Sequence, residues 1–477
     1  MSNFDLGPLA RESRRPQWVR EHPRAPWAAG GAVCLGAFMG QLDASIVTLT
    51  YPRLQSEFNT GLGSVQWVSL SYLVVLAVLL VPVGRWADSR GRKLLYLYGF
   101  GLFSLASAAC ALAPSLGWLV AGRSFQAVGA ALLQANSVAL VVLSVPASRV
   151  RTALGFQGAA QALGLALGPT LGGVLVDAYG WRSVFWVNVP IGVVAIVAGY
   201  VLLPRSRDLN PRRGRDVAGF VLLAAAIVSS LLVLSGLSGM ALPPAVVVGL
   251  CGVAVAAVVL FWRTEARAVA PLVDISLLRR GGLGVSLAGA LLAYLLLFAP
   301  LVLYPSVFAT WGMSTAAGGL VLSALPAGFA VAAVGANVLH LRAANHQRVA
   351  VGAVGVFAAV VANIALWRSP ALVAVLLLLM GAFLGLVIPA NNATVMAAVP
   401  ASASAVTGGM VNVARAMGTA FGVAVATMGL HVAELHNWVG PQVVLGALAV
   451  CSIALGATTL SRPTTSGEQR PSTHMKR

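Results

Sequence analysis

Residues Trp27–Tyr51 read WAAGGAVCLGAFMGQLDASIVTLTY, twenty-five residues with a single charge, Asp43. About 20 apolar residues of helix cross a bilayer, so this stretch predicts a membrane span with an acid inside it. A carboxylate in hydrocarbon is costly and is a functional candidate by default. Working outward, similar segments recur at Val65–Val83, Leu94–Ala113, Gly117–Leu143, Ala153–Val176 and Ser183–Leu203, completing a first group of six. Val217–Leu237 and Pro243–Trp262 follow as a pair. Leu283–Val307, Ala317–Leu339, Val349–Trp367, Ala371–Met396, Ala403–Leu430 and Pro441–Leu460 make a second six.

The chain is 58% hydrophobic and 9% charged, where a soluble domain carries about a quarter charged residues. That excludes a water-soluble globule. Backbone in lipid must be satisfied internally, which leaves helices or closed barrels, and these segments are too long and too uniformly apolar for barrel strands. The predicted fold is an all-α membrane protein, with two six-helix halves and an inserted helix pair. The expected divisions are a cytoplasmic tail over 1–26, a first half over 27–203, a linker with the pair over 204–282, a second half over 283–460 and a cytoplasmic tail over 461–477.

A net charge of +18 could indicate nucleic acid, but its distribution argues otherwise. On this topology 26 of the 31 Lys and Arg fall on one side of the membrane, three on the other and two inside it. That is the positive-inside pattern, and it places both termini in the cytoplasm and the basic face against anionic lipid headgroups. Met1–Pro26 is polar and Arg-rich, and the segment after it is too long for a signal-peptide core, so it is retained as a span. Segment Arg263–Arg280 is read as lying along the membrane surface, and Ser461–Arg477 as a disordered polar tail. The four cysteines, Cys34, Cys110, Cys251 and Cys451, are far apart in apolar segments, which predicts packing rather than disulfides or metal. No metal or cofactor cluster appears, nor a Ser–His–Asp set, so an enzyme is not expected. Heavy use of Ala, Val, Gly and Arg suits a GC-rich bacterial genome, and the expected location is the bacterial cytoplasmic membrane.

Several polar groups lie within the spans. Counted along its helix, Asp43 sits about 12 Å, and Arg123 about 9 Å, below the same surface, so a pair or a shared cavity is expected. Burial disfavours a charged carboxylate and a neighbouring arginine favours it, so such an acid can change protonation as access alternates. The plainer readings are an ion pair that packs helices and an acid facing water at the cavity mouth. Gln126 shares the face of Arg123 at i+3, with Gln134 and Asn136 further along. Arg123 itself could instead be locked by backbone carbonyls. Arg415 is the other intramembrane charge, placed near mid-membrane, where it attracts an anionic group, keeps the empty cavity polar or packs against carbonyls of the second half. In GRWADSRGRK (Gly84–Lys93), Gly84 is expected to let helix ends approach, and Asp88 to cap a helix or bind an arginine such as Arg92. Gly164, Gly168 and Gly172 form a stripe at every fourth residue, and Pro169 bends the same helix. That helix is read as a seal or pivot between halves, or as plain packing. Cavity candidates are Gln126, Gln157, Gln161, Tyr294, Phe298, Phe383, Asn391, Asn412 and Arg415.

These motifs resemble the major facilitator superfamily, in particular its fourteen-span drug:proton antiporters, over nearly the whole chain. GRWADSRGRK resembles the family's loop between helices two and three, with Ser89 where a basic residue is usual. Arg123–Ala131 (RSFQAVGAA) resembles the helix-four motif, with Ala127 in place of glycine. Gly164–Gly173 (GLALGPTLGG) matches the helix-five antiporter motif without departure. QLDASIVTLTYP and WRSVFWVNVPIG resemble two further motifs of the fourteen-span branch. The resemblance implies alternating access, a link of Arg123 to proton coupling, and export rather than uptake.

Together these expectations describe a proton-coupled exporter of drugs or antibiotics, working as a monomer. One membrane acid suits lipophilic neutral or monocationic substrates. The competing readings are a proton-coupled uptake permease for a metabolite and a non-transporting membrane sensor.

Overall fold

The computed structural model describes residues 12, 15–205, 216–240, 242–268, 278, 282–338, 344–366, 369–399 and 404–460. The tail over 461–477, the basic linker stretch 206–215, and most of the stretch expected along the membrane surface lie outside these residues. Among the described residues, fourteen helices are long and apolar enough to cross a membrane. They are α1 (Ala25–Phe58), α2 (Leu62–Arg90), α3 (Arg92–Ala111), α4 (Leu116–Ser144), α5 (Thr152–Tyr179), α6 (Ser183–Leu202), α7 (Val217–Leu237), α8 (Pro244–Glu265), α9 (Leu283–Thr310), α10 (Thr315–Gly335), α11 (Asn345–Leu366), α12 (Pro370–Ala397), α13 (Thr407–Leu435) and α14 (Gly440–Thr459). Below, the terminal end is the end where α1 begins and α14 finishes, and the far end is the opposite one.

Two boundaries differ from the sequence reading. Helix α1 passes Tyr51 through a 3₁₀ turn, Val47–Thr50, and runs on to Phe58. It stops only at Asn59, which takes a left-handed conformation at φ 46°. Helix α2 runs to Arg90, so most of GRWADSRGRK is helical rather than loop. Nothing in Gly84–Arg90 breaks a helix. The turn is made by Gly91 alone, at φ 108°, where a side chain would be strained.

Faint as sequence repetition is, packing repeats. In the first six helices α1 packs on α5, α2 and α3 both pack on α4, and α6 lies against α3 and α1. In the last six, α9 packs on α13, α10 and α11 on α12, and α14 against α11 and α9. Equivalent helices therefore make equivalent contacts. The two sets meet along two seams, α2 with α13 and α5 with α10. Helices α7 and α8 pack mainly on one another, with α7 also touching α2 and α13. Cys251 lies exposed on α8, which corrects its expected packing role, while Cys110 is buried in the core.

Small residues set the closest approaches. A Cβ at Gly164 would stand 2.4 Å from the Phe38 carbonyl oxygen, and one at Gly172 2.6 Å from Ile46 Cγ1. The glycine stripe therefore faces α1, inside the first set, and not the seam where a seal was expected. The seam is made by its neighbours: Gly173 lies against Thr315, Gly319 against the Pro169 carbonyl oxygen, and the hydroxyls of Thr170 and Ser323 are 2.6 Å apart. Gly418 and Gly422 repeat the stripe on α13, against the carbonyls of Leu291 and Leu295 on α9.

Candidate functional site

Asp43 and Arg123 meet in the core of the first set. The acid is 0% exposed and the arginine 1%. Arg123 Nη1 donates to Asp43 Oδ2 at 2.6 Å and also to Gln126 Oε1, and its Nε donates to the Val68 carbonyl at 2.8 Å. Gln126 Nε2 donates to Asp43 Oδ1 at 2.9 Å and to Ser107 Oγ at 2.7 Å. Asn188 Nδ2 donates to the same Asp43 oxygen at 2.9 Å. The carboxylate on α1 thus takes Arg123 and Gln126 from α4 and Asn188 from α6, while the Val68 carbonyl on α2 and Ser107 on α3 hold those α4 side chains. Burying two charges is tolerable only where geometry is good and the remaining lone pairs are satisfied, and here both acid oxygens accept. Both expectations for Arg123 hold together, because it pairs with Asp43 and is also anchored by a carbonyl. Asn188 was not singled out, although it stands in WRSVFWVNVPIG.

A wall separates this pair from a cavity between the two sets. The Tyr72 ring lies 4.3 Å from the Arg123 guanidinium carbon, and Tyr72 also lines the cavity. The Tyr72 hydroxyl is buried without a hydrogen-bond partner among the described residues. Two adjoining pockets share Gly40, Gln41, Gln134 and Arg415. The one nearer the terminal end adds Ser137, Gln161 and Asn412, and the deeper one adds Tyr294, Phe298 and Thr419. Arg415 sits at their junction. Its Nη2 donates to Gln134 Oε1 at 2.7 Å and its Nη1 to Gln161 Oε1 at 3.1 Å, linking α13 to α4 and α5. The Tyr294 ring is 5.8 Å from its guanidinium carbon.

Four cavity candidates lie elsewhere. Gln126 belongs to the ion-pair cluster. Gln157 is 3% exposed and donates to Ser137 Oγ at 3.0 Å. Asn391 is 1% exposed and ties α12 to the Ser286 carbonyl at 2.8 Å. Phe383 packs over Gly355 between α11 and α12. The cavity amides that sequence reading left off its list are Gln41 and Gln134. A signal existed for both. Gln134 lies 11 residues after Arg123 on one helix, about three turns, and Gln41 is two residues from Asp43.

At the terminal end, Asp88 Oδ1 accepts from Arg92 Nη2 at 2.5 Å, across the Gly91 turn. Lys93 is buried and donates to the Tyr200 carbonyl at 2.8 Å, at the end of α6. Glu12, from the expected tail, accepts from the Lys93 and Leu94 amides at 2.9 and 3.3 Å. It thereby satisfies two of the free N–H groups that open α3. Among the described residues Gly84 brings no helix ends together, against the expectation: a Cβ there meets none of them within 4 Å, and the same is true at Gly155, Gly158 and Gly409.

Against known proteins, the sequence profile of the Major Facilitator Superfamily matches residues 33–423. The chain belongs to the Major Facilitator Superfamily. It is thus one of a family of transporters rather than of enzymes. It is 32% identical over 411 residues to the Multidrug resistance protein Stp of Mycobacterium tuberculosis, covering 83% of this chain and 74% of that one. It is 29% identical over 414 residues to the Methylenomycin A resistance protein of Bacillus subtilis, covering 84% and 86%. The fold matches a crystal structure of a bacterial homolog of the human lysosomal transporter Spinster, with a TM-score of 0.61 at 14% identity over 92% of this chain and 95% of that one.

In this superfamily fold the seams show which end is shut. Asp177, at the far end of α5, accepts from the Thr315 and Ala316 amides at 3.2 and 2.7 Å, holding the start of α10. Gln66 on α2 accepts from Thr427 on α13, which also lies 3.4 Å from Ser238 at the end of α7. With the Thr170–Ser323 contact these lie beyond Arg415 toward the far end.

Proposed function

We propose that this transporter exports lipophilic small molecules, drugs or antibiotics among them, in exchange for protons by alternating access. Its place is a bacterial cytoplasmic membrane, with the basic terminal end in the cytoplasm. The relatives whose names carry multidrug or methylenomycin A resistance support the substrate class, and the one-sided Lys/Arg loops support the orientation. On that orientation the structure is the inward-facing form, with its cavity reached from the cytoplasm.

The observation that carries proton coupling is the Asp43–Arg123 pair. The acid is shut off from the cavity by Tyr72, so proton and substrate do not compete for one carboxylate. They are coupled through the form each one favours. In the outward-facing form water reaches Asp43 and protonates it, which loosens its bond to Arg123. In the inward-facing form the proton leaves and the pair re-forms with its three amide and guanidinium donors. Substrate enters the cavity between the sets, against Tyr72, Tyr294 and Phe298, and leaves when the seams α2–α13 and α5–α10 open. One chain encloses the whole cavity, so a monomer suffices.

Inside-out vesicles holding the full chain test the direction. An imposed proton gradient, acid inside, is expected to drive accumulation of a transported antibiotic into the vesicle lumen. Accumulation only under the reverse gradient would instead mark a proton-coupled uptake permease.

A further inference from the structure

We infer that the compounds carried by this protein present an acidic group, a carboxylate or phenolate, to Arg415. The inference deepens the proposed export function by naming the charge of its substrate. It replaces the expectation of neutral or monocationic compounds. That expectation assumed that Asp43 is available to a cation. It is not available, because Asp43 is 0% exposed and its oxygens are taken by Arg123, Gln126 and Asn188.

The cavity has the opposite character. Among the described residues no carboxylate lines either pocket, and none lies within ion-pair distance of Arg415. The two groups that hold Arg415 are neutral amide oxygens, Gln134 at 2.7 Å and Gln161 at 3.1 Å. They orient the guanidinium without cancelling its charge. A partly buried cation with only neutral partners gains most from an anion, and guanidinium and carboxylate meet in a two-point geometry that a neutral acceptor lacks. A cationic compound would instead be repelled at the junction through which both pockets connect. The remaining walls, Tyr72, Tyr294 and Phe298, suit a flat aromatic body beside the acid.

The same geometry links binding to movement. Gln134 and Gln161 belong to the first set and Arg415 to the second, so an anion that captures the guanidinium takes it from two contacts joining the sets. Substrate binding thus releases a mid-membrane tie.

The test is binding of two xanthene dyes with similar tricyclic bodies, anionic fluorescein and cationic rhodamine 123, to the purified full chain in detergent at neutral pH, read by fluorescence anisotropy. Wild type is expected to bind fluorescein more tightly than rhodamine 123. Arg415→Gln is expected to weaken fluorescein by roughly 10- to 100-fold, the size of a lost charge-assisted hydrogen bond. Arg415→Lys, which keeps the charge, is expected to recover part of that loss, and Arg415→Gln to strengthen rhodamine 123. Monodisperse elution of each variant checks its folding. Rhodamine 123 bound as tightly as fluorescein, fluorescein binding unchanged in Arg415→Gln, or no fluorescein binding at all would each overturn the inference. Binding in detergent needs neither energy nor direction, so its outcome separates from the export reading. Uncoupler-sensitive drug efflux without the anion preference removes this inference and keeps export. Arg415-dependent fluorescein binding without efflux does the reverse.

Discussion

At the scale of the residue, the centre of the account is one carboxylate held by three donors. Removing one member of a buried pair leaves an uncompensated charge, at a cost of about 3–5 kcal/mol. Arg123→Met is therefore expected to lower thermal stability in detergent strongly, and Asp43→Asn likewise. The double variant Asp43→Asn/Arg123→Met should lose much less than the sum of the two, because no buried charge is left alone. Additive losses would mean that the two groups act independently. The pair itself was legible in the sequence: two charges in apolar helices, at similar depth, have few other partners in lipid. Asn188 was not, because its facing toward Asp43 depends on how α6 is rotated against α1. That rotation is set by packing and not by local pattern. Gln157 and Asn391 misled for the same reason. An amide in a span has to be satisfied, and whether it meets substrate or a neighbouring helix is decided by the face it occupies.

Among elements, the glycines divide into two kinds that look alike in the sequence. Gly164 and its stripe are filled against α1, so Gly164→Val is expected to cost about 1–3 kcal/mol by overpacking. Gly84 meets none of the described residues in this form, so Gly84→Ala is expected to leave stability within about 0.5 kcal/mol. Thermal unfolding of both variants, with membrane abundance as a control, checks the contrast. Equal losses would mean that Gly84 is packed in the form that dominates in solution. All fourteen spans could be read from apolar length alone, because lipid leaves no other state for such segments. Their ends could not. The sequence reading stopped α1 and α2 where hydrophobicity fell, whereas the backbone stops where hydrogen bonding fails, at Asn59 and Gly91. The docking of Glu12 on α3 was also out of reach, since it joins residues 81 positions apart.

On the scale of the whole molecule, two six-helix sets with repeated packing close on one side of a shared cavity. Which side is closed was not legible, because the same helices and the same motifs serve both forms. The structure supplies it through Asp177, Thr170–Ser323 and Gln66–Thr427. Cysteines placed together at Thr170 and Ser323 are expected to form a disulfide that locks the far end and stops transport, with activity restored by reductant. Transport continuing through the cross-link would show that this seam does not open. Proton exchange through Asp43 remains the central claim. Its most direct test is efflux of a transported compound from energised cells lacking other pumps, comparing wild type, wild type with an uncoupler, and Asp43→Asn at matched membrane abundance. The account predicts efflux in wild type that falls to background both with the uncoupler and in Asp43→Asn. Efflux that persists in Asp43→Asn and still collapses with the uncoupler would contradict it, by placing proton coupling at another residue.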